Sequence, residues 1–210
     1  PIRDNAGRVI AFTGRTLDSS LQSPDPSIQS AKYLNSPETD LYHKSEILYG
    51  MDVAKDAIRV RKFTMLVEGQ VDVILAHQAG FENVVALSGT ALSEKHLTLM
   101  KRYSENLMLV LDAEPAVNGA TARSAALALR EGLRVKAARL PSGKDPADLI
   151  SEDPKDFAKR VTNAKPIVEF FLAELAEHER DSHRLLRSAE VIILPLIAAM
   201  PSPMEREHFI

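Results

Sequence analysis

The sequence predicts an α/β fold in which a parallel sheet carries helices on both faces. Short strand-like apolar runs alternate with segments of helical periodicity between positions 63 and 138, as in successive βαβ units. The run at 107–111 is apolar throughout, which is typical of a strand buried on both faces. After residue 154 only helical patterns remain, so we expect a small helical subdomain to follow the sheet.

The individual elements follow from local patterns. A hairpin is predicted over 1–12 with its turn at 5–8, followed by a Ser-, Pro- and Asp-rich surface loop at 18–31 and an extended stretch at 32–37. Apolar residues at helical spacing predict a helix over 44–61. The remaining strands are predicted at 63–67, 83–87, 107–111 and 134–138, and the remaining helices at 71–79, 93–103, 118–131, 166–179 and 183–197. Ser93 is expected to cap one helix, and Pro195 to kink or end another.

The chain opens in the first strand of the predicted hairpin, so we expect it to be a fragment of a longer protein. Three parts are predicted within it. Residues 1–62 are a partial N-terminal basic subdomain of hairpin, loop and helix, 63–150 are the sheet domain, and 151–210 are a truncated helical subdomain.

The composition is that of a globular protein, with 45% hydrophobic residues and a formal net charge of −3. No apolar run approaches the roughly 18–20 residues that span a bilayer, and no secretion signal is present, so a cytoplasmic protein without a membrane partner is expected. The absence of cysteine excludes disulfides and thiolate zinc sites from this chain. Because no segment is strongly basic, any contact with nucleic acid must come from a few well-placed cations.

Acidic residues follow three of the predicted strands at their carboxyl ends, where open α/β sheets bind ligands. They are Glu68, Asp72, Asp112, Glu114, Asp145 and Asp148. Such a cluster needs cations, and without Cys or a His cluster the matching ions are Mg²⁺ or Mn²⁺, which activate hydroxyls and bridge phosphates. The alternative is that each acid caps a helix or lies in a solvated turn. For Glu68 and Asp112, each directly after a buried strand, we favour the functional interpretation.

Two segments carry a family resemblance. Residues 67–73 (VEGQVDV) match the Glu-Gly-x-x-Asp signature of the TOPRIM fold, and 111–114 (LDAE) resemble its Asp-x-Asp motif. TOPRIM domains occur in primases, topoisomerases, recombination proteins and some nucleases. These motifs by themselves therefore leave the reaction open.

The flanking segments resemble one family, the catalytic domain of bacterial DnaG-type replicative primases. Residues 1–4, 7–10 and 14–15 resemble the hairpin that precedes TOPRIM there, and the stretch 32–39 (KYLNSPET) with 43–44 is the most distinctive. Segments 87–90 and 140–146 also fit. The resemblance implies that 63–150 is a TOPRIM domain and that the activity is metal-dependent synthesis of RNA primers on single-stranded DNA.

The resemblance also implies roles for individual residues. Glu68 would be the central catalytic acid, with Asp72 and Asp112 beside it in catalysis. The ligands of Mg²⁺ or Mn²⁺ would be Glu68, Asp112, Glu114, Asp145 and Asp148. The contacts to nucleotide and nucleic acid would come from Arg15, Lys32, Asn35 and Lys44.

The resemblance implies partners as well: the single-stranded template, ribonucleoside triphosphates and, through the full-length protein, the replicative helicase and single-strand binding protein. Zinc is expected in an N-terminal domain that this chain does not contain.

Three positions depart from the family pattern. Glu114 stands in place of an Asp, Val117 in place of a Gly, and Ala147 in place of an Asp that Asp148 could replace. These departures concern metal affinity and rate more than fold. The alternatives are a TOPRIM nuclease or topoisomerase fragment, and a DNA-binding TOPRIM module whose acids have decayed. A topoisomerase needs a catalytic tyrosine, and none of the four tyrosines stands in an obvious separate domain.

Overall fold

The computed structural model describes residues 1–15, 33–87, 89–111 and 119–209, and the N-terminal part of the chain consists of two small antiparallel pairs. The first pair is the predicted hairpin, formed by β1 (Ile2–Arg3) and β2 (Val9–Ala11). The second joins β3 (Thr13–Arg15) to β4 (Tyr33–Asn35). The loop predicted at 18–31 lies outside the described residues.

The helix predicted over 44–61 is wrong in its first half. A 3-10 turn covers Lys44–Glu46, and α1 (Met51–Arg61) begins only after Gly50. Between them Tyr49 pairs with Ala86 through both of its backbone groups. Gly50 turns the chain into the helix at φ 81°, and a Cβ there would lie 2.8 Å from Val73 Cγ1. The apolar spacing reflects burial on one side of the chain, which an extended segment can also provide.

A five-stranded sheet forms the centre of the protein. Its strands are β5 (Thr64–Val67), β6 (Val84–Ala86), β7 (Asn106–Leu111), β8 (Arg134–Arg139) and β9 (Lys165–Pro166), in the order β6-β5-β7-β8-β9. The first four are parallel and β9 is antiparallel to β8. The chain leaves β5 for β6 on one side and later adds β7 on the other, so the topological switch point lies between β5 and β7.

Helices cover both faces of this sheet, which confirms the predicted fold class. They are α2 (Gln70–Gln78), α3 (Glu94–Lys101), α4 (Gly119–Arg130), α5 (Pro146–Glu152), α6 (Pro154–Thr162), α7 (Ile167–His178), α8 (Ser182–Ala199) and α9 (Pro203–Glu207). Side chains alternate along each strand, so Met65 and Val67 pack with α2, α5 and α6, whereas Leu66 packs with α1, α3, α4, α7 and α8. The predicted cap Ser93 accepts the His96 N–H at the start of α3.

The helices after residue 150 share the core of the sheet. Phe171 of α7 and Leu196 of α8 are completely buried in the same cluster as Leu66. Helix α8 continues through Pro195 to Ala199 instead of ending there. Residues on both sides of position 150 therefore contribute to one hydrophobic core. None of the helices among the described residues is both long and apolar enough to cross a bilayer.

Candidate active site

A cleft of about 1370 Å³ opens at the carboxyl ends of β5 and β7, at the switch point of the sheet. Its walls come from the first turns of α2, α4 and α5 and from segments before α1 and α3. Six of the predicted site residues line it: Asn35, Lys44, Glu68, Asp72, Asp145 and Asp148. The predictions for Lys32, Asp112 and Glu114, and for the side chain of Arg15, fall outside the described residues.

Glu68 stands at the carboxyl end of β5, directly after the buried Val67. Its side chain is exposed and lines the cleft. Among the described residues it has no hydrogen-bond or ion-pair partner. Its charge is therefore available to a ligand in the cleft.

Asp72, the third residue of α2, is buried, with 7% of its surface exposed. Its Oδ2 accepts the Gly69 N–H at 3.0 Å and its Oδ1 accepts the Ala147 N–H at 3.2 Å. A Cβ at Gly69 would lie 2.9 Å from Asp72 Oδ2, so this approach favours glycine. The carboxylate thus fastens the start of α2 to the start of α5.

Asp145 and Asp148 belong to the first turn of α5. Asp145 is its N-cap and accepts the Asp148 N–H at 2.7 Å, with Pro146 at the first helical position. One oxygen of Asp145 therefore has the capping role that we considered as an alternative. Ala147 is buried, whereas Asp148 is exposed beside the cleft. Asp148 is thus the carboxylate that this turn presents most freely.

Cationic and amide groups face these acids across the cleft. Asn35 lies in β4, opposite Thr13 of β3. Lys44 belongs to the 3-10 turn, and within the described part of the chain its ammonium forms no ion pair. A negatively charged ligand in the cleft would therefore meet a lysine that is not already neutralised.

The first turns of α4 add polar groups that the sequence interpretation missed. Thr121, Arg123 and Ser124 line the cleft, and Arg123 is exposed. A helix that follows a parallel strand begins at the carboxyl end of that strand. The predicted βαβ pattern could therefore have placed these three residues at the cleft.

The described donor set is suited to a hard divalent ion. Glu68, Asp145 and Asp148 offer only carboxylate oxygens, the ligands that Mg²⁺ and Mn²⁺ prefer. Over 1–15, 33–87, 89–111 and 119–209, no three His, Cys, Asp or Glu side chains form a group that could hold a metal. Two of the five predicted ligands, Asp112 and Glu114, lie outside those ranges.

Comparison with known proteins gives matches along most of the chain. Residues 65–150 match a family described as Toprim-like, and residues 1–55 match the DNA primase catalytic core, N-terminal domain. The DNA primase of Halalkalibacterium halodurans is 36% identical over 215 residues, which cover 100% of this chain and 34% of that protein. The chain spans about a third of the length of the curated relatives it matches.

Two solved structures have the same fold as this chain. The RNA polymerase domain of Mycobacterium tuberculosis primase DnaG matches with a TM-score of 0.79 and 30% identity, over 100% of this chain and 67% of that one. A DnaG primase catalytic domain bound to ssDNA matches with a TM-score of 0.78 and 32% identity, over 99% of this chain and 66% of that one.

Proposed function

The chain belongs to the family of bacterial DnaG-type DNA primases, and on that premise we propose that it carries the active site for RNA primer synthesis. The observation that supports this best is the content of one cleft. Glu68 of the TOPRIM signature lines it together with Asn35 and Lys44, which come from the primase-like segment. If the chain were a TOPRIM nuclease or topoisomerase, the presence of Asn35 and Lys44 in this cleft would be unexplained.

The proposed reaction is nucleotidyl transfer. The 3′-hydroxyl of the growing primer attacks the α-phosphorus of a ribonucleoside triphosphate, a new P–O bond forms and the bond to pyrophosphate breaks. The hydroxyl proton passes to water. We assign Glu68 and Asp112 to the catalytic step, with Asp72 holding α2 and α5 in place. Lys44 and Asn35, with Arg15 and Lys32, contact phosphates, which positions nucleic acid without reading its sequence.

We assign Mg²⁺ or Mn²⁺ to the carboxylates of Glu68, Asp112, Glu114, Asp145 and Asp148. When bound, such an ion makes the attacking hydroxyl more acidic and neutralises charge on the phosphates. The oxygen-only donor set of the described members supports this assignment.

The partners we propose are single-stranded template DNA and ribonucleoside triphosphates. The relative bound to ssDNA supports the first of these. Through the full-length protein, in the bacterial cytoplasm at the replication fork, the replicative helicase and the single-strand binding protein would join them.

We place zinc outside this chain, which has no cysteine. We keep the division into 1–62, 63–150 and 151–210 as the proposed domain organisation.

The test is Glu68→Gln in the full-length protein that contains this chain. The amide keeps the size of the side chain and removes its charge, so primer synthesis on single-stranded DNA with Mg²⁺ should fall by roughly a hundredfold or more. Glu82→Gln is the matched control, because Glu82 is exposed and lies just before β6, at the opposite edge of the sheet. Synthesis within a few-fold of wild type in Glu68→Gln would contradict the proposal. Cleavage of the template without synthesis in the wild type would favour the nuclease.

A further inference from the structure

The first turn of α3 holds the 3-10 turn Lys44–Glu46 by one contact to each of its three residues. His96 Nε2 lies 2.9 Å from the Lys44 carbonyl oxygen. The Ser93 hydroxyl donates to the Ser45 carbonyl, and the Lys95 ammonium pairs with Glu46. The turn is thus fastened to a helix about 50 residues further along the chain.

We propose that His96 is a positioning residue that sets Lys44 for contact with a phosphate group in the cleft. This inference rests on the proposed function and deepens it. His96 itself does not line the cleft. Its effect on a ligand is therefore exerted through the backbone of Lys44.

The hydrogen bonds of His96 identify its protonation state. Its Nδ1 accepts the Ser93 N–H at 3.2 Å, so that nitrogen carries no proton. The proton is then on Nε2, which donates to the Lys44 carbonyl. The ring is completely buried, and burial lowers the pKa of His96, which favours this neutral form. A neutral imidazole adds no charge that would compete with Lys44 for a phosphate.

The backbone of Lys44 is anchored on both sides. Its N–H donates to Glu38 Oε1 at 3.0 Å, and its C=O accepts from His96. A lysine side chain has considerable rotamer freedom, which makes a phosphate contact entropically costly. Fixing both backbone groups removes the additional freedom of the peptide and leaves only the side chain to be ordered on binding.

The experiment measures binding of two phosphate probes to the full-length protein. A labelled single-stranded oligodeoxynucleotide is titrated at several salt concentrations, and ATP is titrated separately, so that template and nucleotide phosphates are distinguished. His96→Leu should weaken binding of one probe roughly three- to tenfold, while His96→Gln, which retains an N–H donor, should stay within about twofold. If the affected probe is the oligonucleotide, its salt slope should fall by about 0.7 for one lost contact.

A double-mutant cycle tests whether the effect passes through Lys44. In a Lys44→Ala background, His96→Leu should cause no further loss of affinity.

A second pair of variants tests Glu38, the other anchor of the Lys44 backbone, without disturbing the core. Glu38→Ala removes both the charge and the oxygen that accepts the Lys44 N–H, whereas Glu38→Gln removes only the charge. The proposal expects Glu38→Ala to bind the phosphate probe more weakly than Glu38→Gln does. Because Glu38 is exposed, both variants should fold.

His77→Leu is the matched control. His77 Nε2 also lies 2.9 Å from a backbone carbonyl, that of Val84, at the edge of the sheet away from the cleft. The His77→Leu variant should change stability and leave the affinities for both probes unaltered. Wild-type affinities in a folded His96→Leu protein would overturn the proposal. So would a loss of affinity on His96→Leu that is equal in the wild-type and Lys44→Ala backgrounds. A failure of the proposed function would show separately, as primer synthesis that survives Glu68→Gln.

Discussion

The carboxylate of Asp72 accepts the backbone N–H of Ala147, 75 residues further along the chain, at 3.2 Å. Asp72 lies in the first turn of α2 and Ala147 in the first turn of α5. The bond therefore holds together the two turns that flank the cleft. Glu68 precedes one of these turns and Asp148 belongs to the other, so their separation depends on this contact.

Removing the Asp72 carboxylate should lower stability more than a surface substitution does. In Asp72→Ala the buried N–H of Ala147 loses its acceptor, and the free energy of unfolding should fall by about 1–3 kcal/mol. Asp72→Asn retains one acceptor oxygen and should lose less. Urea unfolding of both variants measures the difference. Wild-type stability in the Ala variant would show that water replaces this contact without cost.

Under the proposed ligand assignment, a divalent ion should stabilise the folded protein, because it would bind the folded site and not the dispersed chain. Millimolar Mn²⁺ is expected to raise the melting temperature, and Glu114→Asp, which shortens the proposed ligand by one methylene, should enlarge the shift. Asp148→Asn should reduce it, while Glu82→Gln should not. Crystals soaked in Mn²⁺ should show oxygens from at least two segments at about 2.0–2.2 Å from the ion. No thermal shift and no bound ion, in wild type or Glu114→Asp, would favour the decayed module.

Stability should fall as the pH drops through the range in which free histidine titrates. Burial lowers the pKa of His96 from its usual 6.5, so the unfolded chain takes up the proton more readily than the folded protein does. The loss begins near pH 6.5, reaches a slope of at most about 1.4 kcal/mol per pH unit, and is complete below the folded pKa. Between pH 5 and 7.5, the free energy of unfolding should depend less on pH in His96→Gln than in the wild type. Identical pH profiles for the wild type and His96→Gln would show that His96 is not the origin of the dependence.

The ion pairs between β8 and α7 offer a comparison of a buried and an exposed acid. Arg139 contacts Glu174 at 3.0 Å and Glu177 at 2.7 Å, and the side chain of Glu174 is 7% exposed whereas that of Glu177 is 62% exposed. Hydrogen bonding to Glu177 and the charges of both acids raise the pKa of Arg139.

Glu174→Ala should therefore lower the free energy of unfolding by about 2–4 kcal/mol, and Glu177→Ala by at most about 1 kcal/mol. Thermal and urea unfolding of the two variants measures this. Equal effects would mean that burial of Glu174 does not strengthen its ion pair with Arg139.

Some elements were not predictable from local patterns. The stretch at Leu48 and Tyr49 has the apolar spacing of a helix, yet Tyr49 pairs with Ala86. No local sequence pattern predicts that pairing. Strand β9 consists of Lys165 and Pro166, two exposed residues without any alternation. Both errors arise because hydrogen bonding to a distant strand overrides the preference of a short segment.

The sequence by itself determined the α/β architecture, the cap at Ser93 and the position of Glu68 after a strand, because periodicity and capping depend on neighbours within a few residues. Only the tertiary structure decided that Asp72 holds Ala147, that His96 holds Lys44, and that α7 and α8 bury the same core as the sheet. Each of these contacts joins residues separated by about 50 residues or more. Such partners are selected by the packing of whole elements, and that packing depends on all the buried side chains at once.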